Sequence, residues 1–214
     1  MNSLLSVNCL WNGPTEAPLR IALAHGAGNG MDSEFMGAIA KGLGNKGFQV
    51  VRFEFPYMAR RRFTGKKAGP DRAPVLQKRW KEVIHQLDDR PLIIGGKSMG
   101  GRIASMVADE MSVAGLVCLG FPFHPPGKPE KLRTEHLAEL QTPCLICQGE
   151  RDPFGKPEEV SRYVLSDAIN LVWIEDGDHS FKPRKRSGRN ETQNIELVIE
   201  AISNFASANC RPEI

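Results

Sequence analysis

Short apolar runs alternate with helical patterns along almost the whole chain, and this alternation constrains the fold more than any other feature. Six runs have the length and composition of buried strands: 19–25, 48–55, 91–96, 114–123, 143–149 and 170–176. Six segments show helical spacing of apolar residues: 32–47, 73–87, 99–111, 130–140, 156–165 and 191–206. Strands that alternate with helices predict an α/β three-layer sandwich with a mainly parallel sheet of about six to seven strands.

Length and composition are those of an ordinary globular protein. The chain has 214 residues, of which 41% are hydrophobic and 25% are charged. We expect a single domain over residues 1–214, with its core roughly at 19–206, and no internal repeat. No apolar run approaches the ~20 residues that span a bilayer. The first residues, MNSLLSVNCLWNGPTE, lack the basic and long apolar regions of a secretory signal. We therefore expect a cytoplasmic protein that does not bind membranes.

The five cysteines do not predict a disulfide framework or a zinc site. Their number is odd, and the pair Cys144 and Cys147 lies inside the apolar run 143–149. No second pair of cysteines or histidines stands at zinc-site spacing, and a thioredoxin-like motif would open a helix instead. We expect buried structural thiols and no metal.

The stretch GGKSMGG at residues 95–101 permits two hypotheses. A phosphate-binding loop requires a glycine five residues before Gly96, but that position holds Pro91. The pattern G-x-S-x-G fits instead, and it lies between a predicted strand and a predicted helix, as a nucleophile elbow requires. The sequence therefore predicts that Ser98 is a nucleophile.

A serine nucleophile needs a base and an acid, and two residues after later strands suit these roles. Asp152 follows the fifth predicted strand and His179 follows the sixth, which gives the chain order Ser–Asp–His of α/β-hydrolases. His179 is the expected base, and Asp152 the residue that orients it. Glu150 and Asp178 are rival acids, but Asp178 directly adjoins His179 and Glu150 lies at the strand end.

The sequence His25-Gly26-Ala27-Gly28 follows the first predicted strand and is a candidate oxyanion loop. Acyl transfer needs donors that stabilise a developing oxyanion, and one of them is the N–H after the nucleophile. We expect the N–H groups of Met99 and Ala27 to be these donors. We also expect His25 and Gly26 to contact substrate.

The surroundings of the predicted site are open and basic. Only about 20 residues separate the fourth predicted strand from the fifth, too few for a cap domain by usual connection lengths. His124 in this connection either contacts substrate or packs internally. Two basic loops, 58–69 with Arg61 and Arg62 and the stretch 182–189, follow strands. Either they form a positive rim that favours anionic substrates or an acidic protein partner, or they are only solvated loops. A net charge of +3 argues against a nucleic-acid-binding protein.

Several motifs together resemble one family of α/β-hydrolase-like proteins: HGAG, GGKSMGGR, FPFHPPGKPEKLRTEHL, QGERDPFG and EDGDHSFKPRKRSG. The family includes testis-expressed protein 30 and the third regulatory subunit of the non-specific lethal histone acetyltransferase complex, and it stands near the dienelactone hydrolases, whose nucleophile is cysteine. The resemblance spans residues 19–206. It implies the α/β-hydrolase fold and a Ser98–Asp152–His179 triad, but no particular substrate.

Two functions are compatible with these features. The first is a serine hydrolase that cleaves a small ester or thioester through an acyl-enzyme, with no metal and no organic cofactor. The second is a non-catalytic module that keeps the hydrolase fold and contacts an acidic partner through its basic loops. A complete triad and an oxyanion loop favour the first function, because a scaffold needs neither.

Overall fold

A sheet of seven strands forms the centre of the molecule in the computed structural model, which describes residues 8–87 and 89–209. The strands are β1 (Cys9–Asn12), β2 (Arg20–Ala24), β3 (Gln49–Phe53), β4 (Leu92–Lys97), β5 (Gly115–Leu119), β6 (Cys144–Gly149) and β7 (Ile169–Ile174). Their order across the sheet is β1-β3-β2-β4-β5-β6-β7. Strands β2 to β7 are parallel, and β1 pairs antiparallel with β3 at one edge.

Helices cover both faces of this sheet, as a parallel sheet requires. The helices are α1 (Glu34–Asn45), α2 (Pro56–Thr64), α3 (Ala73–Gln86), α4 (Met99–Ser105), α5 (Pro157–Val160) and α6 (Glu191–Asn209). Helices α1 and α6 pack on one face, while α2, α3 and α4 pack on the other. The predicted three-layer α/β sandwich is confirmed.

Alternation along the strands divides the core into two apolar layers. Ile21 and Leu23 of β2 point into the layer beneath α1 and α6, whereas Ala22 and Ala24 point into the opposite layer. Successive side chains of a strand face opposite sides of the sheet, so a strand buried on both faces has a continuous apolar sequence. This is why the six runs could be found without an alternating pattern.

The predicted strands all form, and one further strand lies outside the prediction. β1 is only four residues long, CLWN, and it stands at the antiparallel edge of the sheet. Three predicted helices are much shorter in the structure, among them the one predicted over 99–111, which ends at Ser105. The pattern over 130–140 gives only a 3₁₀ turn at Glu135–Leu137, and the pattern over 156–165 gives α5, which ends at Val160.

The basic segment after β3 is a helix rather than the loop expected from its charges. Helix α2 begins at Pro56, whose fixed backbone angle suits the first turn of a helix. It ends at Thr64, and the next residue, Gly65, adopts the left-handed conformation typical of helix ends, with φ of 70°. Arg61 and Arg62 therefore lie in the last turn of α2, where the helix dipole favours cations.

The connection from β5 to β6 holds no cap domain. Residues 120–143 contain the 3₁₀ turn Glu135–Leu137 and otherwise run as turns and extended chain. The carboxyl edge of the sheet therefore stays open above this connection. Across the described ranges, no helix has the length and apolar character needed to cross a membrane.

The cysteines of the sheet are buried thiols, as expected. Cys118 on β5 and Cys144 and Cys147 on β6 are free and fully buried. Burial raises the pKa of Cys147 to about 12, so its thiol stays protonated and unreactive at neutral pH. Cys210 lies outside the described residues.

Candidate active site

The candidate site lies where the order of the parallel strands reverses. The chain passes from β2 outward to β3, then returns to β4 on the other side of β2. The carboxyl ends of β2 and β4 are neighbours, since Ala24 pairs with Gly96. Ligands of open α/β sheets bind in the crevice at such a point. The loop after β2 and the turn after β4 therefore meet at one site.

Ser98 is the single residue between β4 and α4, and its backbone is strained. Its backbone has φ of 51° and ψ of −115°, a region that residues with a side chain rarely adopt. Gly100 allows this turn to lie against β2, because a Cβ there would approach the Ala24 carbonyl oxygen to 2.4 Å. The strand–turn–helix setting and the strain are those of a nucleophile elbow.

Asp152 and His179 meet through a direct hydrogen bond. His179 Nδ1 lies 2.7 Å from Asp152 Oδ2, and the Asp152 side chain is fully buried while that of His179 is 24% exposed. Because a carboxylate only accepts, Nδ1 carries the proton and Nε2 is the free, basic nitrogen. Gln148 Nε2 also donates to Asp152 Oδ2 at 3.0 Å, and the Phe154 N–H donates to Oδ1 at 2.9 Å. These bonds fix the carboxylate that orients the imidazole.

The two rival acids have other partners. Glu150 Oε2 accepts a hydrogen bond from the Asp176 N–H at 2.9 Å. Asp178 Oδ1 accepts from the N–H groups of Ser180 and Lys182 at 2.8 and 3.0 Å, which shapes the loop that carries His179. The geometry thus favours Asp152 among the three carboxylates.

The loop of residues 25–28, called here the oxyanion loop, is held from below by His25 and Tyr57. His25 Nδ1 donates to the Gly26 carbonyl at 2.7 Å, and its Nε2 accepts from the Phe55 N–H at 3.1 Å. The Tyr57 hydroxyl lies 3.2 Å from the Gly26 carbonyl and 3.0 Å from the Ala27 carbonyl. Burial lowers the pKa of His25, in keeping with the neutral ring that these two bonds require.

This support fixes the orientation of the peptide between Gly26 and Ala27. Carbonyl and N–H point in opposite directions across a trans peptide. Since the Gly26 carbonyl faces His25 and Tyr57, the N–H of Ala27 faces away from them. Met99 is the first residue of α4, where an N–H has no acceptor within its own helix. Both predicted oxyanion donors therefore belong to amides that the fold leaves available.

A cavity of about 280 Å³ joins these elements. Its wall is apolar on one side, through Phe35, Met36 and Phe154. The Phe154 ring packs on the His179 ring with centroids 4.4 Å apart and an angle of 35° between planes. The remaining lining residues are Gly26, Ala27, Gly28, Asn29, Ser33, Lys97, Ser98, His179 and Ser180. The structure thus brings Ser98, His179 and the oxyanion loop to one cavity, and Asp152 beneath it.

Two predicted substrate contacts are corrected by burial. The His25 side chain is fully buried beneath the oxyanion loop, so its ring supports Gly26 and does not face substrate. His124 is 2% exposed, and its Nδ1 donates to the Pro125 carbonyl at 2.9 Å. Neither ring lines the cavity, whereas Gly26 does. The packing alternative for His124 is the one that the structure supports.

The two arginines of the last turn of α2 have different surroundings. Arg61 reaches the lip of the cavity, where a guanidinium nitrogen lies 3.4 Å from the Gly28 carbonyl oxygen. Arg62 is engaged by two carboxylates, Glu54 at 2.6 Å and Asp32 at 2.9 Å, and it lowers the pKa of Asp32. The substrate role predicted for Arg62 is therefore corrected, because its charge is already paired.

The second basic stretch is also largely paired with acidic side chains. Arg184 binds Asp176, and Arg189 lies 2.9 Å from Glu175.

Within residues 8–87 and 89–209, no group of three or more histidine, cysteine or acidic side chains is placed to hold a metal ion.

Sequence reasoning missed four residues that shape the site: Tyr57, Lys97, Gln148 and Phe154. Phe154 and Lys97 stand within two residues of Asp152 and Ser98, so proximity along the chain was a usable signal. Tyr57 and Gln148 act from beneath the site on α2 and β6. Only the folded arrangement identifies them.

Comparisons with known proteins agree with this architecture. The profile of the alpha/beta hydrolase domain family matches residues 17–207. A lid-less α/β serine hydrolase from Xanthomonas campestris superposes with a TM-score of 0.71 at 19% identity, covering 96% of this chain and 90% of the other. Dienelactone hydrolase from Anabaena variabilis gives a TM-score of 0.73 at 21% identity, covering 98% and 95%.

A third similar structure is Est1E from Butyrivibrio proteoclasticus with ferulic acid bound. It gives a TM-score of 0.66 at 17% identity and covers 95% of each chain. At these identities the structural likeness shows a shared fold, here the α/β-hydrolase fold without a lid. The family profile covers most of the chain, and the chain therefore belongs to the alpha/beta hydrolase domain family.

Proposed function

We propose that this protein is a serine hydrolase that cleaves a small ester or thioester through an acyl-enzyme, with Ser98 as nucleophile, His179 as general base and acid, and Asp152 as the residue that orients His179. One observation carries the proposal. The hydrogen-bonded pair His179–Asp152, 2.7 Å apart, stands at the cavity that also holds Ser98 in its strained turn. A binding module has no need of such a pair next to a strained serine.

The first half of the reaction forms the acyl-enzyme. Ser98 Oγ attacks the carbonyl carbon of the substrate while its proton moves to His179 Nε2. The carbonyl oxygen becomes an oxyanion and accepts hydrogen bonds from the N–H groups of Ala27 and Met99. The tetrahedral intermediate then collapses, and the leaving alkoxide or thiolate takes the proton from Nε2. Asp152 stabilises the imidazolium during these steps.

The second half returns the enzyme to its starting state. Water takes the place of the leaving group and gives a proton to His179 Nε2 as its oxygen attacks the acyl carbon. The same two N–H groups hold the second oxyanion. Collapse returns the proton to Ser98 Oγ and releases the carboxylic acid. The open carboxyl edge of the sheet gives water direct access to the cavity.

The dimensions of the cavity favour a short acyl group. A volume of about 280 Å³ lies just below the usual range of pockets for drug-sized ligands, about 300–1,000 Å³. Phe35, Met36 and Phe154 offer an apolar wall for this group. Arg61 at the lip would favour a leaving group that carries negative charge, because the neighbouring Arg62 is already paired with Glu54 and Asp32.

Hydrolysis of a graded series of p-nitrophenyl esters, from acetate to decanoate, and of matched thioesters tests the proposal. We expect the highest kcat/KM for two to four acyl carbons, and loss of activity by at least about 10⁴-fold in Ser98→Ala. Ser161→Ala, an exposed serine at the end of α5, is the matched control and should keep full activity.

The non-catalytic alternative predicts a different outcome. If folded wild-type protein hydrolyses no member of the series faster than Ser98→Ala does, the hydrolase proposal is wrong. In that case, binding of an acidic protein partner by the two basic segments, 58–69 and 182–189, becomes the leading hypothesis. The resemblance to the testis-expressed protein 30 family and the cytoplasmic location are predictions from the sequence and do not depend on this experiment.

A further inference from the structure

Lys97, which precedes the proposed nucleophile, is a buried cation without a carboxylate in direct contact. It is the last residue of β4 and is 9% exposed. Its Nζ donates a hydrogen bond to the His179 backbone carbonyl. The ammonium also lies 5.4 Å from the ring centre of Phe35 and 5.9 Å from that of Phe181. Among the described residues, no carboxylate oxygen lies within ion-pair distance of Nζ.

The local backbone leaves room for this ammonium beneath His179. Gly120, at the end of β5, has φ of +67°, and a Cβ built there would lie 2.9 Å from Lys97 Nζ. The same Cβ would lie 2.9 Å from the His179 carbonyl oxygen and 3.2 Å from His179 Nδ1. The space beside Gly120 is therefore surrounded by the Lys97 ammonium, the His179 carbonyl and the His179 imidazole nitrogen. Only glycine at position 120 leaves this space empty.

The charge of Lys97 calls for an explanation, because burying an ammonium away from water costs free energy of folding. An isosteric methionine would fill the same space without that penalty. A charged donor, however, binds a carbonyl about twice as strongly as a neutral one. The loop that it binds carries the proposed base.

We propose that Lys97 is a positioning residue: its ammonium holds the loop of residues 178–182, called here the histidine loop, so that His179 stays aligned between Asp152 and Ser98. This inference rests on the proposed function, because alignment of His179 matters only if His179 acts as a base. Loss of the proton from Lys97 weakens the bond to the His179 carbonyl, so the histidine loop is held less firmly. Activity should therefore fall when Lys97 is neutral.

The groups that face Lys97 set the pH at which this happens. Burial lowers the pKa of Lys97 from 10.5 to about 8, and the nearby carboxylates of Asp152 and Asp178 oppose that shift. The other neighbours, Phe35 of α1 and Phe181 of the histidine loop, carry no charge. The ammonium is therefore present at pH 7 and absent well above pH 8.

The rate of labelling by a fluorophosphonate, measured from pH 6 to 9.5, tests this role without a known substrate. In wild type we expect the second-order rate constant to fall above about pH 8. In Lys97→Met it should be lower by about tenfold at pH 7, the effect of one charged hydrogen bond, and flat between pH 7 and 9.5. Lys81→Met on α3, whose lysine pairs with Glu110 at the surface, should match wild type.

Two outcomes overturn the proposal: a Lys97→Met rate equal to wild type at pH 7, or the same alkaline decline in both proteins. Should the variant fail to fold, NMR of wild type decides instead. The ring resonances of His179 should show a step at the midpoint of the Lys97 Cε titration. Resonances of His179 that do not respond as Lys97 titrates contradict the coupling. Wild type without Ser98-dependent labelling contradicts the proposed function, whereas the NMR result tests the link between Lys97 and His179 in either case.

Discussion

The two loops beside Ser98 are each held by a buried nitrogen base, and the two bases differ in charge. His25 supports the oxyanion loop with one ring nitrogen donating to Gly26 and the other accepting from Phe55. Lys97 supports the histidine loop by donating to the His179 carbonyl. His25 can make both bonds only as a neutral ring, whereas Lys97 makes its strongest bond as an ammonium.

Burial therefore strengthens the hydrogen bonding of His25 but opposes that of Lys97. It lowers the pKa of both bases. For His25, burial and hydrogen bonding favour the same neutral form, so the oxyanion loop tolerates alkali and is weakened only by acid that protonates the ring. For Lys97, burial favours the neutral form and hydrogen bonding the charged form. The histidine loop is thus the side of the site that alkali should weaken.

Replacing Asp152, which orients His179, should give the largest loss of activity after replacement of Ser98. In Asp152→Asn one amide oxygen cannot replace both Oδ2, which accepts from His179 and Gln148, and Oδ1, which accepts from the Phe154 N–H. The amide NH2 therefore faces one of these donors, and the imidazole loses its tautomer and orientation. We expect kcat/KM on p-nitrophenyl butyrate to fall by about 10³- to 10⁴-fold. Asp167→Asn, at an exposed carboxylate, is the control. A loss below tenfold in folded protein would mean that another acid orients His179.

Weakening the oxyanion side should have a smaller effect. Tyr57→Phe removes the hydroxyl that donates to the carbonyls of Gly26 and Ala27. Burial raises the pKa of Tyr57 to about 12, so this donor is present throughout the working pH range. We expect kcat and kcat/KM to fall together by about tenfold, because the loss concerns the transition state.

Tyr163→Phe is the matched control for this substitution, since the Tyr163 ring packs against Phe123 away from the cavity. It should keep the wild-type rate. A Tyr57→Phe variant that changes KM alone would show that the hydroxyl supports substrate binding and not the oxyanion loop.

The stability of Lys97→Met sharpens the contrast between the two supports. The folded pKa of Lys97, about 8, lies below its ordinary value of 10.5, so the unfolded chain binds more protons between these values. Stability from this residue is therefore fully present above pH 10.5 and is lost as pH falls through 8. At pH 7 we expect the methionine variant to unfold with a free energy about 1–3 kcal/mol higher than wild type.

This stability difference should narrow as the pH rises above 8, and urea unfolding at pH 7 and 9.5 measures it. Slower labelling together with higher stability is the pattern of a residue kept for function. If Lys97→Met is instead destabilised at pH 7 by more than about 1 kcal/mol, the lysine serves the fold.

The smallest effect is expected outside both loops, at the lip. Arg61→Gln should raise KM for the mono-p-nitrophenyl ester of succinate by about two- to fivefold, the range of one exposed charge interaction, and leave the neutral butyrate unchanged. Arg60→Gln is the control, because Arg60 pairs with Asp71 at 2.6 Å. A kcat/KM for the anionic ester that does not vary with salt would remove any role for a positive rim.

The sequence alone was enough to predict the central strands and the site residues that follow them. Strands buried on both faces have continuous apolar sequences, so β2 to β7 were predicted, and parallel strands carry Ser98, Asp152 and His179 to one edge. The edge strand β1 was missed because four residues carry too little pattern. Helix α2 was missed because its charged sequence lacks apolar periodicity.

The supports of the site were beyond prediction for a different reason. The roles of His25 and Lys97 depend on burial, and burial depends on packing between elements far apart in the chain. His25 was expected to contact substrate, and Lys97 was not identified as part of the site; both are covered by residues of other strands and helices. A sequence pattern identifies residues suited to chemistry, but only the packed structure shows which of them face the substrate.

The most direct test of the central claim is to map the site of fluorophosphonate modification. We predict one adduct per chain, on the tryptic peptide of residues 98–102, absent from Ser98→Ala and unchanged in Ser161→Ala. Folded wild-type protein that is not labelled, or is labelled equally well in Ser98→Ala, would contradict the claim that Ser98 is the nucleophile of a serine hydrolase.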